Sequence, residues 1–215
     1  MRALLYKLLE VPWVYRISQW LLAPGGARDF KNILRGLVSH PVNPNDVLDV
    51  GCGPISWLSR IGLAPVGVDI SLSYVKKFAE TGLIGVVASA DALPFSTWSF
   101  SSVWTVGVLH HISDNSAFNA VHEMVRVCRP GGCVIIVDNV MPCSAWRRPL
   151  AHAIWRLDRG RFVRSEETLS AILQKAIPIF DELTQVYLHL VRFRIDYMCC
   201  ADSRQGEGRG IQIMA

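Results

Sequence analysis

Short apolar runs, each ending in a glycine or an acid, alternate along the middle of the chain with segments of helical periodicity. Val47-Leu48-Asp49-Val50 runs into Gly51-Cys52-Gly53-Pro54, and Val66-Gly67-Val68 runs into Asp69-Ile70-Ser71. A third strand ends near Ala90-Asp91-Ala92, a fourth covers about Ser102 to Thr105, and a fifth covers Val134 to Val137. Between them, Ser71 caps a helix to about Glu80, with Leu72, Val75 and Phe78 on one face. Ser113 or Asp114 caps the next, with Phe118, Val121, Met124 and Val125 inward, and Pro130-Gly131-Gly132 ends it. Ser165, followed by Glu166 and Glu167, caps a helix to Lys175. Glu182 to Leu190 and Phe193 to Asp202 then read as two strands of an antiparallel hairpin. Strands alternating with helices predict an α/β fold with a mostly parallel sheet.

This order puts Gly51, Asp69, Asp91 and Thr105 at the carboxyl ends of parallel strands, the edge where open α/β sheets bind ligands. Glycine lets the backbone approach a ligand where a side chain would block it. An acid closing the second strand, at about the ~20-residue spacing of nucleotide-binding units, accepts hydrogen bonds from both hydroxyls of a ribose. The pattern predicts a site for an adenosine-containing cofactor. A nicotinamide-dependent oxidoreductase fits less well, because Ser56 stands where the fingerprint G-x-G-x-x-G has its third glycine.

Taken in order, Val47-Leu48-Asp49-Val50-Gly51-Cys52-Gly53, Asp69, Asp91-Ala92-Leu93-Pro94-Phe95, Leu109-His110-His111 and Arg129-Pro130-Gly131-Gly132 resemble the class I S-adenosylmethionine-dependent methyltransferases, in the type 11-like branch. The resemblance is close over Asn45 to Asp138 and loose elsewhere. It implies a Rossmann-like seven-stranded, mostly parallel sheet with helices on both faces and a C-terminal antiparallel hairpin. It also implies S-adenosylmethionine as cofactor. Asp49, Gly51, Cys52 and Gly53 would wall its methionine part, and Asp69 would hold the ribose with Ile70 beside it. Asp91 and the Ala92 backbone would meet the adenine, with Thr105 and Val106 lining the cleft after the fourth strand. Two positions depart from the pattern. Ile55 replaces a small residue, where a branched side chain is expected to crowd the methionine carboxylate or bend the loop, and Ser101 stands where an acid is common.

The acceptor chemistry is less defined. His110 and His111 follow the fourth strand and are the candidate catalytic residues, to orient an acceptor or take its proton; the alternative is a structural turn. Asp138, closing the fifth strand, is read as a turn or capping residue rather than a substrate contact. No histidine or cysteine stands at metal spacing, so no metal is expected. The six cysteines form no C-x-x-C pair and read as buried free thiols.

Domain expectations are an N-terminal helical extension over 1–40, a methyltransferase domain over 41–202 with a helical substrate-side region at 141–175, and a flexible tail at 203–215. Leu4, Leu5, Leu8, Leu9, Trp13 and Ile17 recur at helical spacing in the extension. The stripe reads as cover for the sheet or, through residues 1–22, as a peripheral membrane contact. Arg147, Arg148, Arg156, Arg159, Arg161 and Arg164 read as solvated helix faces or as a clamp on an anionic acceptor. With 51% hydrophobic and 19% charged residues in 215, the chain is not disordered. Its net charge of +4 is mild, and the basic residues lack interleaved aromatics, so nucleic acid is not the expected partner. A nucleic-acid methyltransferase would also want a run such as N-P-P-Y after the fourth strand, where Thr105-Val106-Gly107-Val108 stands. Glu10 and Pro12 interrupt any leader-like apolar run, which predicts a cytoplasmic protein, peripheral at most at the inner membrane face. The reading is methyl transfer to a small-molecule or lipid-linked acceptor, with a catalytically silent cofactor-binding scaffold as the alternative.

Overall fold

The computed structural model describes residues 26–38, 43–140, 162–176, 185–191 and 212–213. The expectations for the stripe at 1–22, for Arg147, Arg148, Arg156, Arg159 and Arg161, for the strand Phe193 to Asp202, and for most of the tail lie outside these residues. Helix α1 (Gly26–Leu37) belongs to a unit separate from the one holding the sheet. Asp29 stands in its first turn and Arg35 in its last, each at the end whose partial charge it complements.

Five parallel strands form the sheet: β1 (Val47–Val50), β2 (Val66–Asp69), β3 (Gly85–Val87), β4 (Phe100–Val106) and β5 (Cys128–Asn139). Their order is β3-β2-β1-β4-β5, so the direction of winding reverses between β1 and β4. That switch point opens a crevice at the carboxyl edge. Beyond β5, the backbone of β6 (Gln185–Val191) runs parallel to it, and β7 (Gln212–Ile213) pairs antiparallel with β6.

Alternation along the strands separates two faces. Leu48, Val50, Val68, Val103, Val134 and Ile136 point to one side, where they gather with Val121 and Met124 of α3 (Asp114–Val127) and Leu169 and Leu173 of α4 (Glu166–Ala176). Gly67 faces the other side, where α2 (Leu72–Ala79) brings the ring of Phe78 so near that a β-carbon on Gly67 would lie 2.6 Å from it. Helices therefore cover both faces, and Gly67 is required by close approach rather than by its backbone angles.

Ser71 caps α2 and Ser113 caps α3, each accepting a hydrogen bond from the amide three residues on. Ser165 caps α4 in the same way, accepting from Thr168 at 3.3 Å. One exposure and two boundaries differ from the sequence reading. Leu72 is 56% exposed rather than inward, because it is the first helical residue and sits at the open edge of the sheet. Helix α3 stops at Val127, before Pro130, and Cys128 already pairs with Phe100. The register then jumps to Ser102 opposite Cys133, so Pro130-Gly131-Gly132 forms an irregularity inside β5 rather than the helix stop. Finally, β4 starts at Phe100, two residues early, because that pairing draws it out.

Candidate functional site

The turn after β1 is held from beneath by β2. The amides of Gly51 and Cys52 both donate to Val68 O, at 2.7 and 3.0 Å. Gly51 has φ +77°, and a β-carbon there would lie 2.2 Å from a Val108 methyl. Gly53 has φ +61°, yet a β-carbon on it would meet nothing within 4 Å. One glycine thus allows packing, and the other leaves open space beside a backbone that only glycine adopts easily. Ile55 is 57% exposed, so its side chain is not buried in the turn. Ser56 takes the buried place instead: its hydroxyl donates to Asp49 and accepts from Leu58 N–H at 3.0 Å.

Asp69 ties the second strand to this turn. One carboxylate oxygen accepts from Gly53 N–H at 3.1 Å and the other from Ser71 N–H at 2.8 Å. Ile70 beside it is 75% exposed, an apolar surface open at the strand end. Asp49 is buried, and that burial, opposed by the Ser56 hydrogen bond and reinforced by the Asp69 charge, pushes its carboxyl up to about 6. Burial and the same two acids push the Cys52 thiol up to about 12, so it is no nucleophile at neutral pH. Among the described residues, no cation forms an ion pair with Asp49 or Asp69.

Along the same edge, Asp91 accepts from the Ser89 hydroxyl, and Ala92 N–H donates to Ser89 O at 3.1 Å. Thr105 is buried and its hydroxyl donates to Val50 O at 2.9 Å, while Val106 is the last residue of β4. All ten candidate cofactor residues therefore lie at one edge of the sheet, on β1, β2, β4 and the turns that follow the strands.

The two histidines differ. His111 is exposed, whereas His110 is buried beneath it, with ring centroids 4.0 Å apart. His110 does not stand open at the cleft rim, because Asp138 draws it in. The Asp138 carboxylate meets His110 Nδ1, and also accepts from the backbone N–H of His110 at 3.1 Å and of Asn139 at 2.7 Å. Arg164 locks the turn from outside. Its guanidinium donates to Leu109 O, Ile112 O and Asp114, at 2.6, 2.7 and 2.8 Å. Each of its three nitrogens is thus engaged, which removes Arg164 from the set read as a clamp on an anionic acceptor. No group of residues that could hold a metal ion occurs among the described residues.

Sequence reasoning took Ser56 only as a missing glycine and did not foresee its bond to Asp49, and it missed the ion pair of Glu123 and Arg126, which reaches the Leu93–Phe95 loop from α3. The i, i+3 spacing of an acid and an arginine was the available signal, but it is as common on solvated helix faces.

A family pattern described as "Methyltransferase domain" matches residues 48–136. The chain is 35% identical to 2-methyl-6-phytyl-1,4-hydroquinone methyltransferase of a Synechocystis strain, over 48% of this chain and 37% of that protein. It is 30% identical to an uncharacterized Synechocystis methyltransferase, sll0829, over 64% of this chain and 67% of the other. It spans between 23% and 55% of the length of three such relatives. Among solved structures, a SAM-dependent methyltransferase of Thermotoga maritima, described as a possible histamine N-methyltransferase, shares the fold with a TM-score of 0.57 and 17% identity, covering 80% of each chain.

Proposed function

Since the chain belongs to the class I S-adenosylmethionine-dependent methyltransferases, we propose that it transfers a methyl group from that cofactor to a small-molecule or lipid-linked acceptor. The observation that carries the reading is the Gly53 amide bonded to Asp69, which joins an open glycine turn to the acid at the end of the next strand. Asp49 and Asp69 lack cationic partners among the described residues, which favours a ligand bearing positive charge, such as a sulfonium and an ammonium. The same two carboxylates disfavour a dinucleotide pyrophosphate at the turn, as does the Ser56 that replaces the third glycine.

The residues would divide the work as follows. Asp49, Gly51, Cys52 and Gly53 would wall the methionine part, Asp69 and Ile70 the ribose side, and Asp91 and Ala92 the adenine, with Thr105 and Val106 beneath. The bound cofactor supplies an electrophilic methyl group on sulfur. Methyl transfer would discharge the sulfonium, so Asp49 and Asp69 would serve binding rather than the transition state. Rate then comes mainly from holding the acceptor in line and excluding water. A base is needed only for an acceptor such as an alcohol. The exposed His111, rather than the buried His110, would be the one to meet an acceptor.

The lipid-linked option rests on the apolar stripe at 1–22 and on arginines in the 141–161 region of the sequence. Among the described residues, no helix is long and apolar enough to cross a membrane. The domain reading of 1–40 and 41–202, with a seven-stranded sheet completed by a C-terminal hairpin, belongs to the same proposal.

The test is calorimetric titration with S-adenosylmethionine and S-adenosylhomocysteine, repeated with Asp69→Asn. Dissociation constants on the order of micromolar, weakened at least about tenfold by the substitution, are expected. Absence of binding to both by the folded wild type would overturn the reading.

A further inference from the structure

Glu123 and Arg126 stand one turn apart on α3, yet both reach the loop that follows β3. Glu123 accepts from the backbone N–H of Leu93 at 2.9 Å. Arg126 donates to Leu93 O at 3.1 Å and to Phe95 O at 2.8 Å, and it binds both oxygens of Glu123, at 2.6 and 2.8 Å. The N–H and C=O of one buried residue, Leu93, are therefore gripped by the two halves of one ion pair. The loop cannot slide along α3 without breaking both grips at once. Two residues upstream, Asp91 is bonded to Ser89, whose carbonyl takes the Ala92 amide. The position of the Asp91 carboxylate is thus referred, through a short stretch of braced backbone, to α3.

We propose that the Glu123–Arg126 pair is a positioning device for base recognition. By clamping Leu93 and Phe95 it sets where Asp91 and the Ala92 backbone stand, and so sets the preference for adenine over a purine lacking the 6-amino group. The inference rests on the cofactor reading above. An ionised carboxylate accepts a hydrogen bond from the 6-amino group of adenine, whereas hypoxanthine turns a carbonyl oxygen to the same place. That discrimination needs the carboxylate within about 3 Å of the exocyclic atom, so a loop displaced by about 1 Å loses it. The pair is partly solvated, with side-chain exposure of 28% for Arg126 and 17% for Glu123, and such ion pairs contribute little to stability by themselves. Arginine is needed because its planar fork spans two carbonyls and a carboxylate together, which an ammonium does not.

The test uses the full chain, as wild type, Arg126→Lys and Glu123→Gln. Each is titrated calorimetrically with S-adenosylhomocysteine and with S-inosylhomocysteine, and its thermal unfolding is recorded. The wild type is expected to prefer the adenine ligand by about tenfold or more. Both variants are expected to reduce that preference to about twofold, weakening the adenine ligand and leaving the hypoxanthine ligand unchanged. A merely structural role would weaken both ligands together and leave their ratio intact, and that result overturns the inference. If Arg126→Lys is unfolded at the working temperature, Glu123→Gln decides. A wild type that binds both ligands equally overturns the inference alone, whereas one that binds neither overturns the cofactor reading with it.

Discussion

Asp138 holds His110 at two points, through the ring Nδ1 and through the backbone N–H, across 28 residues of sequence. The carboxylate also takes the Asn139 amide, so its removal would withdraw one partner from three groups at once, two of them on the buried His110. Asp138→Ala is expected to cost about 3 kcal/mol, and Asp138→Asn less, because the amide keeps one acceptor. Urea unfolding of the two variants checks this. Equal stability of Asp138→Ala and wild type would show that the grip is not formed in solution.

Arg164 closes the same turn from the other side. Arg164→Met leaves Ile112 O without its donor and Leu109 O with only the Ile112 amide at 3.3 Å, which is expected to cost about 2 kcal/mol. Arg164→Lys keeps the charge but not the fork, and it should recover less than half of that loss. Faster hydrogen exchange at the amides of His111 and Ile112 in either variant would localise the effect.

The two glycines of the turn should fail differently. Gly51→Ala drives a methyl into Val108 on a left-handed backbone and is expected to cost about 3 kcal/mol or more. Gly53→Ala meets open space, so its cost is only the backbone strain of about 1 kcal/mol. It nevertheless puts a methyl where the cofactor is proposed to lie. Gly53→Ala should therefore stay folded by thermal melting and lose S-adenosylmethionine binding, while Gly51→Ala should melt early.

Asp49 links stability to pH. Its carboxyl is raised to about 6 in the folded chain, so between about pH 4 and pH 6 the folded state holds a proton that the unfolded state has lost. The stabilising contribution is complete below about pH 4 and fades as pH rises through 6, by at most about 3 kcal/mol. Asp49→Asn cannot titrate and keeps an acceptor for Ser56. Its stability relative to wild type should rise between pH 4 and pH 7 and then level off. A difference that stays flat across that range in thermal melts would mean that Asp49 is not buried as described.

The sequence by itself determined the strands, their glycine and acid endings, and the serines that cap three helices. These depend on alternation, helical period and turn chemistry, which act within a few residues. These local patterns by themselves carry Gly51, Gly53, Asp49 and Asp69 to one edge of the sheet. Only the tertiary structure decided which of these groups meet. The Gly53 amide finds Asp69 16 residues away, Leu93 finds Glu123 30 residues away, and His110 turns inward to Asp138. Each pairing depends on sheet order and on which strand or loop a helix face meets, and neither is encoded in local periodicity. The same holds for Leu72 and Cys128, whose exposure and strand pairing follow from where the sheet ends rather than from their own neighbours. The long-range hydrogen bonds that accompany a buried His110 beside an exposed His111 are written in the fold, because burial is a property of the assembled layers.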